Sequence, residues 1–158
     1  MDEKTNVMRI LDQKKIKHQT HSYVGTGAIS GTEVAEALGQ DPKCVFKTLV
    51  TIGKSKSNYV FVIPVNATLD VKKVAKIVGK KSIDMIKQKD LEPLTGYIHG
   101  GCSPIGMKKK FPTYLDKTVE NFSEIFVSGG RVGLQIKIKK EDLIKLVDAK
   151  IDELTLEK

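Results

Sequence analysis

Residues Val45 to Ile52 and Tyr59 to Val65 form two runs of apolar, largely β-branched side chains, separated by the turn-forming stretch Gly53 to Asn58. Such side chains favour a pleated backbone, so the pattern reads as strand, turn, strand. A two-stranded ribbon is marginal in water, and the rest of the chain must supply layers that cover it. Residues 4–15 read as a helix with Val7, Ile10 and Leu11 on one face. Ser30-Gly31-Thr32-Glu33 has capping-box spacing, which starts a helix that turns Val34, Ala35 and Leu38 inward and stops at Gly39. Asp70 caps another through Val78, with Gly79 as its stop, and Lys140 to Asp148 makes a last helix with Leu143, Ile144 and Val147 inward.

Further strands are expected at 18–23, at Tyr97-Ile98-His99, and near 113–116, 124–128 and 133–138, the last two joined at Gly129-Gly130. Gly25, Gly27 and Gly31 mark a flexible loop. This order gives an α/β or α+β fold, a mixed and barrel-like sheet with flanking helices. A length of 158 residues suits a single domain, 1–158, that can bury roughly 68–70% of its unfolded surface without staples.

Composition narrows the partners. No apolar run approaches the ~20 residues of a membrane span. Met1-Asp2-Glu3-Lys4 is polar, with no secretory apolar segment behind it, so a cytoplasmic protein is expected. Two cysteines, Cys44 and Cys102, are too few for a disulfide scaffold and read as reduced, mostly buried thiols. The net charge of +8 is clustered: seven lysines fall in residues 71–90, and Lys108–Lys110 and Lys137, Lys139 and Lys140 follow. Clustered lysines suit a polyanion such as nucleic acid; a solvated lysine-rich surface is the plainer alternative.

Two places invite chemistry. Lys47 shares a strand face with Val45 and Leu49, where an ammonium is costly to desolvate. It is either a site residue or a gatekeeper lysine against edge-to-edge aggregation. Gly100-Gly101-Cys102-Ser103-Pro104-Ile105-Gly106 is dense in residues that set unusual backbone angles. It is either a plain turn or a loop that offers backbone N–H groups to an anion. Ser128-Gly129-Gly130 gives a similar, weaker pattern, and alone it reads as a hairpin turn. His18 and His21 fall on opposite faces of a strand, and His99 with Cys102 lacks further ligands, so no metal site is expected. No catalytic triad and no nucleotide fingerprint occurs, so no cofactor is expected.

In this order and spacing, several motifs together resemble the YbaK/EbsC family of Cys-tRNA(Pro) deacylases, relatives of the editing insertion domain of bacterial prolyl-tRNA synthetases. They are Lys4-Thr5-Asn6-Val7-Met8-Arg9, Val45-Phe46-Lys47-Thr48-Leu49-Val50, Leu69-Asp70-Val71-Lys72-Lys73, Thr95-Gly96-Tyr97, the Gly100 to Gly106 loop and Val127-Ser128-Gly129-Gly130. The likeness spans Lys4 to Asp148. It implies that Lys47 is the essential catalytic lysine, that Gly100 and Pro104 fall on the family's G-x-x-x-P loop, and that Tyr23, Thr48 and Ser128 are pocket residues. Gly101 joins them as a substrate-binding candidate on its place in that loop. Two departures stand out. Arg131-Val132-Gly133-Leu134-Gln135 replaces the common Lys-Arg-Gly-Leu-Asp, and Ser30 lies where an aromatic is usual.

The implied activity is trans-editing of mischarged Cys-tRNA(Pro), with aminoacyl-tRNA as partner, prolyl-tRNA synthetase as a candidate second partner, and no membrane or metal. A synthetase pocket cannot exclude a small side chain well, since a methylene is worth only ~1–3 kcal/mol, so a second, cleaving site is the expected remedy. The family's substrate thiol attacks its own ester, and that would account for a missing triad. The competing readings are an Ala-tRNA(Pro) deacylase that uses water and a non-catalytic adaptor that binds tRNA or the synthetase.

Overall fold

The computed structural model describes residues 4–156; Met1–Glu3, the polar start discussed above, lie outside that range. In chain order the helices are α1 (Asn6–Gln13), α2 (Gly31–Ala37), α3 (Val71–Val78), α4 (Gln88–Thr95) and α5 (Lys140–Val147). The strands are β1 (His18–Ser22), β2 (Phe46–Gly53), β3 (Asn58–Pro64), β4 (Ile83–Met85), β5 (Thr113–Asp116), β6 (Glu124–Ser128), β7 (Leu134–Lys139) and β8 (Lys150–Asp152).

The expected strand pair, β2 and β3, is antiparallel and lies inside a five-stranded sheet of order β4-β2-β3-β5-β8. Its partners β3–β5 and β5–β8 are parallel, which makes the sheet mixed. A second sheet, β1-β7-β6, is antiparallel throughout. One bridge, Val45 to Phe126, ties the two sheets together. The sheets abut without closing into the barrel expected from sequence. The outer strands β4 and β8 are three residues each, and β8 is exposed along its length, so they offer little ladder for closure.

Alternation along β3 sends consecutive side chains into different cores. Val60 and Val62 pack with Val7, Leu11, Ile125, Ile136 and Ile138 between the sheets and α1. Phe61 and Ile63 pack with Leu69, Val74, Ile83 and Leu154 under α3. The sheet is thus buried on both faces, which is why β3 reads as an unbroken apolar run. The caps follow the sequence: Ser30 Oγ accepts from Glu33 N while Glu33 accepts from Ser30 N, and Asp70 accepts from Lys73 N. Thr5 caps α1, and its hydroxyl also donates to the Gly129 carbonyl at 2.7 Å, pinning the helix to the β6–β7 turn.

Tyr97-Ile98-His99 is not a strand. Tyr97 is buried, its hydroxyl donates to the Ile105 carbonyl, and Gly101 N–H closes a turn on the Ile98 carbonyl. Only Tyr97 anchors the folded loop; Ile98 and His99 are exposed. Helix α4 is absent from the sequence reading, because Pro93 sits inside it and its exposed face is polar; burial of Leu91 and Thr95 holds it in place. Strands β4 and β8 are too short for their pattern to register. Among the described residues, no helix is long and apolar enough to cross a membrane.

Candidate active site

Strand β2 is laddered to β3 from Phe46 to Ile52. Its other edge is shared. β4 takes Thr51–Gly53, Ile86 N–H donates to the Val50 carbonyl, and the β6 bridge stands at Val45. Between those points the two sheets part, and a cavity of about 580 Å³ opens along the edge of β2. Lys47 and Thr48 point to opposite sides of the strand, and both border the cavity because it wraps that edge. Tyr23, Gly100 and Ser128 complete the set of expected pocket residues on its wall.

Lys47 is half-buried, and its ammonium donates to the Val65 carbonyl at 3.4 Å. Among the described residues no carboxylate pairs with it. Burial alone holds its pKa below the ordinary 10.5. Beside it, the Thr48 hydroxyl is buried with no hydrogen-bond partner, as is His21 Nε2. Native proteins rarely leave such atoms unpaired; Thr48 borders the cavity, whereas His21 lies off it, its ring edge-on to Phe126. Ser128 Oγ accepts from Gly130 N at 3.2 Å and keeps acceptor and donor capacity to spare.

The glycine loop divides. Gly100, at φ +87°, reaches the cavity wall. Gly101 and Pro104 are buried and lie off it. The Gly101 N–H is already spent on Ile98, at 3.0 Å. A side chain on Gly101 would begin 2.9 Å from Arg131 Cα and from Val132 N. This glycine is therefore a contact point between two backbones, the 100–106 loop and the 129–133 turn, and its N–H does not face an anion. That long-range approach has no trace in the local sequence.

Gln135, His99 and Leu49, named from sequence in other connections, also line the wall, and Ile29, Met85, Ile86, Gln88 and Leu91 join them without any signal in the sequence reading. Cys102 also borders the cavity, but burial pushes its thiol up to about 12. It is a poor nucleophile there. Gln135 is 3% exposed and exchanges two hydrogen bonds with Gln40, at 2.7 and 2.9 Å. The β1-β7-β6 registers set His21, Gln135 and Ser128 in one row across the smaller sheet. Among the described residues, no group of three or more His, Cys, Asp or Glu could hold a metal ion.

Residues 9–146 match the model of the aminoacyl-tRNA editing domain. The chain belongs to that family. It is also 45% identical, over 97% of its length and 94% of the relative's, to an Enterococcus faecalis protein named "Putative Cys-tRNA(Pro)/Cys-tRNA(Cys) deacylase EbsC". Two solved structures share the fold. One, titled as a putative trans-editing enzyme for prolyl tRNA synthetase, superposes with a TM-score of 0.85 at 22% identity, covering 99% of this chain and all (100%) of that one. A second, described as a hypothetical protein, gives 0.88 at 18% identity, over 96% and 100% of the two chains.

Within this editing domain, the two departures from the family pattern take on a physical shape. The position of the usual acidic residue is taken by Gln135, a cavity-wall amide paired with Gln40 behind it. The position of the usual arginine is Val132, half-exposed and packed beside Gly100. The wall near Gln135 thus lacks the carboxylate the family often places there.

Proposed function

We propose that the protein is a trans-editing deacylase that cleaves the ester of mischarged Cys-tRNA(Pro) with the help of the substrate's own thiol. The observation that carries this reading is a cavity holding an ammonium and an unpaired hydroxyl, yet no activated nucleophile. Lys47 lacks a carboxylate partner among the described residues, and the one thiol on the wall is held protonated by burial. In this reading the substrate supplies the attacking atom.

In this mechanism the cysteine sulfur bonds to its carbonyl carbon, and the ester C–O bond breaks. The ribose oxygen leaves with the proton that the thiol gives up. Water then opens the strained thiolactone to free cysteine. An intramolecular attack that is well oriented can gain roughly 7–11 kcal/mol over its bimolecular counterpart, so orientation is the protein's main task. Lys47 polarises the ester as charge develops on oxygen, and Thr48, Tyr23, Ser128 and Gly100 shape the space around it. Pro104 and Gly101 act by holding the loop that carries Gly100. No cofactor is required. The tRNA(Pro) would come from prolyl-tRNA synthetase, which is the proposed second partner.

A panel of Cys-, Ser-, Ala- and Pro-tRNA(Pro) tests the proposal. Cys-tRNA(Pro) is cleaved fastest, and Ser-tRNA(Pro), with a poorer nucleophile in place of sulfur, far more slowly. Efficient cleavage of Ala-tRNA(Pro), or of thiol-blocked Cys-tRNA(Pro), points to water as nucleophile. Binding without cleavage of any member points to an adaptor.

A further inference from the structure

We infer that, of the clustered lysines, Lys81, Lys87 and Lys89 on the segment through β4 to the start of α4 guide the phosphodiester backbone of a tRNA acceptor end to the cavity. The identity of the ligand rests on the deacylase reading; the choice of surface does not.

This segment borders the cavity mouth. Met85 and Gln88 line the cavity while staying exposed, and the Ile86 to Val50 hydrogen bond fixes the segment against β2. Lys87 and Lys89 flank Gln88, and Lys81 lies four residues before Met85, at most ~14 Å away along an extended chain. Phosphates recur every ~3.4 Å of rise along one strand of a duplex, so the segment spans several. All three lysines are exposed, and none is paired with a described carboxylate. Residues 80–90 hold four lysines (Lys80 included) against Asp84 and Asp90, so the segment keeps a net +2. Met85 and Ile29 place 47% and 83% exposed apolar side chains at the same mouth, where the bases of an unpaired 3′ end would rest.

The other clusters are placed or engaged differently. Lys108 is joined to the C-terminal end of α4 through Thr95, a helix length of ~12 Å from Gln88. Lys110 lines a separate depression with Phe111 and Asp148. Lys137 sits over the Phe126 ring and 3.8 Å from Glu124, and Lys140 donates to the Glu120 carbonyl. Lys73 donates to the Thr155 carbonyl.

The test compares two triple charge reversals, K81E/K87E/K89E and K108E/K109E/K110E, with binding of uncharged tRNA(Pro) measured across a salt series. The first variant should lose on the order of 10-fold or more in affinity and lower the salt slope by roughly 2–3, at about 0.9 per phosphate contact. The second should stay within about threefold of wild type. K81Q/K87Q/K89Q should fall between wild type and the reversal, and melting temperatures report whether each variant is folded. Cleavage of a cysteinyl ester of adenosine should fall far less than cleavage of Cys-tRNA(Pro) in the first variant. An equal or larger loss in the Lys108–Lys110 variant, or an unchanged salt slope in the first, overturns the inference. If wild-type protein leaves Cys-tRNA(Pro) intact but shows the same binding pattern, the deacylase reading fails and this surface stands.

Discussion

The two halves of strand β2 follow opposite rules. From Val50 to Gly53 the strand is paired on both edges, and Thr51, fully buried, donates its hydroxyl to the Tyr59 carbonyl at 2.9 Å. From Phe46 to Leu49 one edge faces the parting between the sheets. There the chain keeps a buried hydroxyl without a partner and an ammonium without a carboxylate. In one half Thr51 is fully engaged by the fold; in the other the Thr48 hydroxyl has no partner and the Lys47 ammonium has only the Val65 carbonyl. Unpaired buried groups cost stability, and in the proposed function that cost is offset when the substrate binds.

The strongest way to break this contrast is Lys47→Ala. Loss of a preorganised charge should lower kcat/KM for Cys-tRNA(Pro) by on the order of 10²-fold or more while the protein stays folded. Near-normal activity would return Lys47 to a gatekeeper role. The pH dependence sharpens the point. Burial sets the folded pKa of Lys47 below 10.5, so between the two values the unfolded chain holds the proton that the folded chain has lost. Stability therefore rises with pH across that window. Lys47→Met should be the more stable protein below it, by a margin that shrinks as pH rises to 10.5. If the ammonium is the active form, turnover should fall on an alkaline limb with a midpoint below 10.5.

Next in size is Gly101→Val. A side chain there meets the Arg131 and Val132 backbone, so the variant should lose about 1–3 kcal/mol in urea unfolding. An unchanged melting temperature would mean that the two loops do not meet closely. The same substitution at two points of β2 gives a smaller, cleaner comparison. Thr51→Val should cost about 0.5–1.5 kcal/mol and leave turnover alone. Thr48→Val should cost no stability, or gain up to ~1 kcal/mol, and lower turnover. Equal behaviour of the two variants would erase the distinction. The smallest effect belongs to Cys102→Ser, which should leave cleavage nearly intact. With the thiol pushed up to about 12, only on the order of one molecule in 10⁴ is thiolate at pH 8, so alkylation should be slow. A dead Cys102→Ser protein that still binds tRNA would make Cys102 the nucleophile.

Much of this was legible residue by residue. The caps at Ser30 and Asp70 and the stop at Gly79 depend on groups a few positions apart, and they form as their spacing implies. The oddity of Lys47 was visible from alternation alone. Helix α4 was hidden because Pro93 and its polar face carry no period, and burial of Leu91 and Thr95 decides it. The glycine loop was legible as unusual but not in its division of labour. Gly100 and Gly101 are adjacent, yet one reaches the cavity and the other is a backbone contact, because the 129–133 turn arrives from across the fold.

By itself, then, the sequence determined the elements whose causes are local: period, capping, turn chemistry, and the motif order that names an editing domain. Only the tertiary structure decided that two sheets abut without closing, that β2 is left open on one edge at Lys47 and Thr48, and which lysines border the opening. Those outcomes depend on pairings between residues far apart in the chain, such as Val45 with Phe126 and Gln40 with Gln135, which no window of neighbouring side chains encodes.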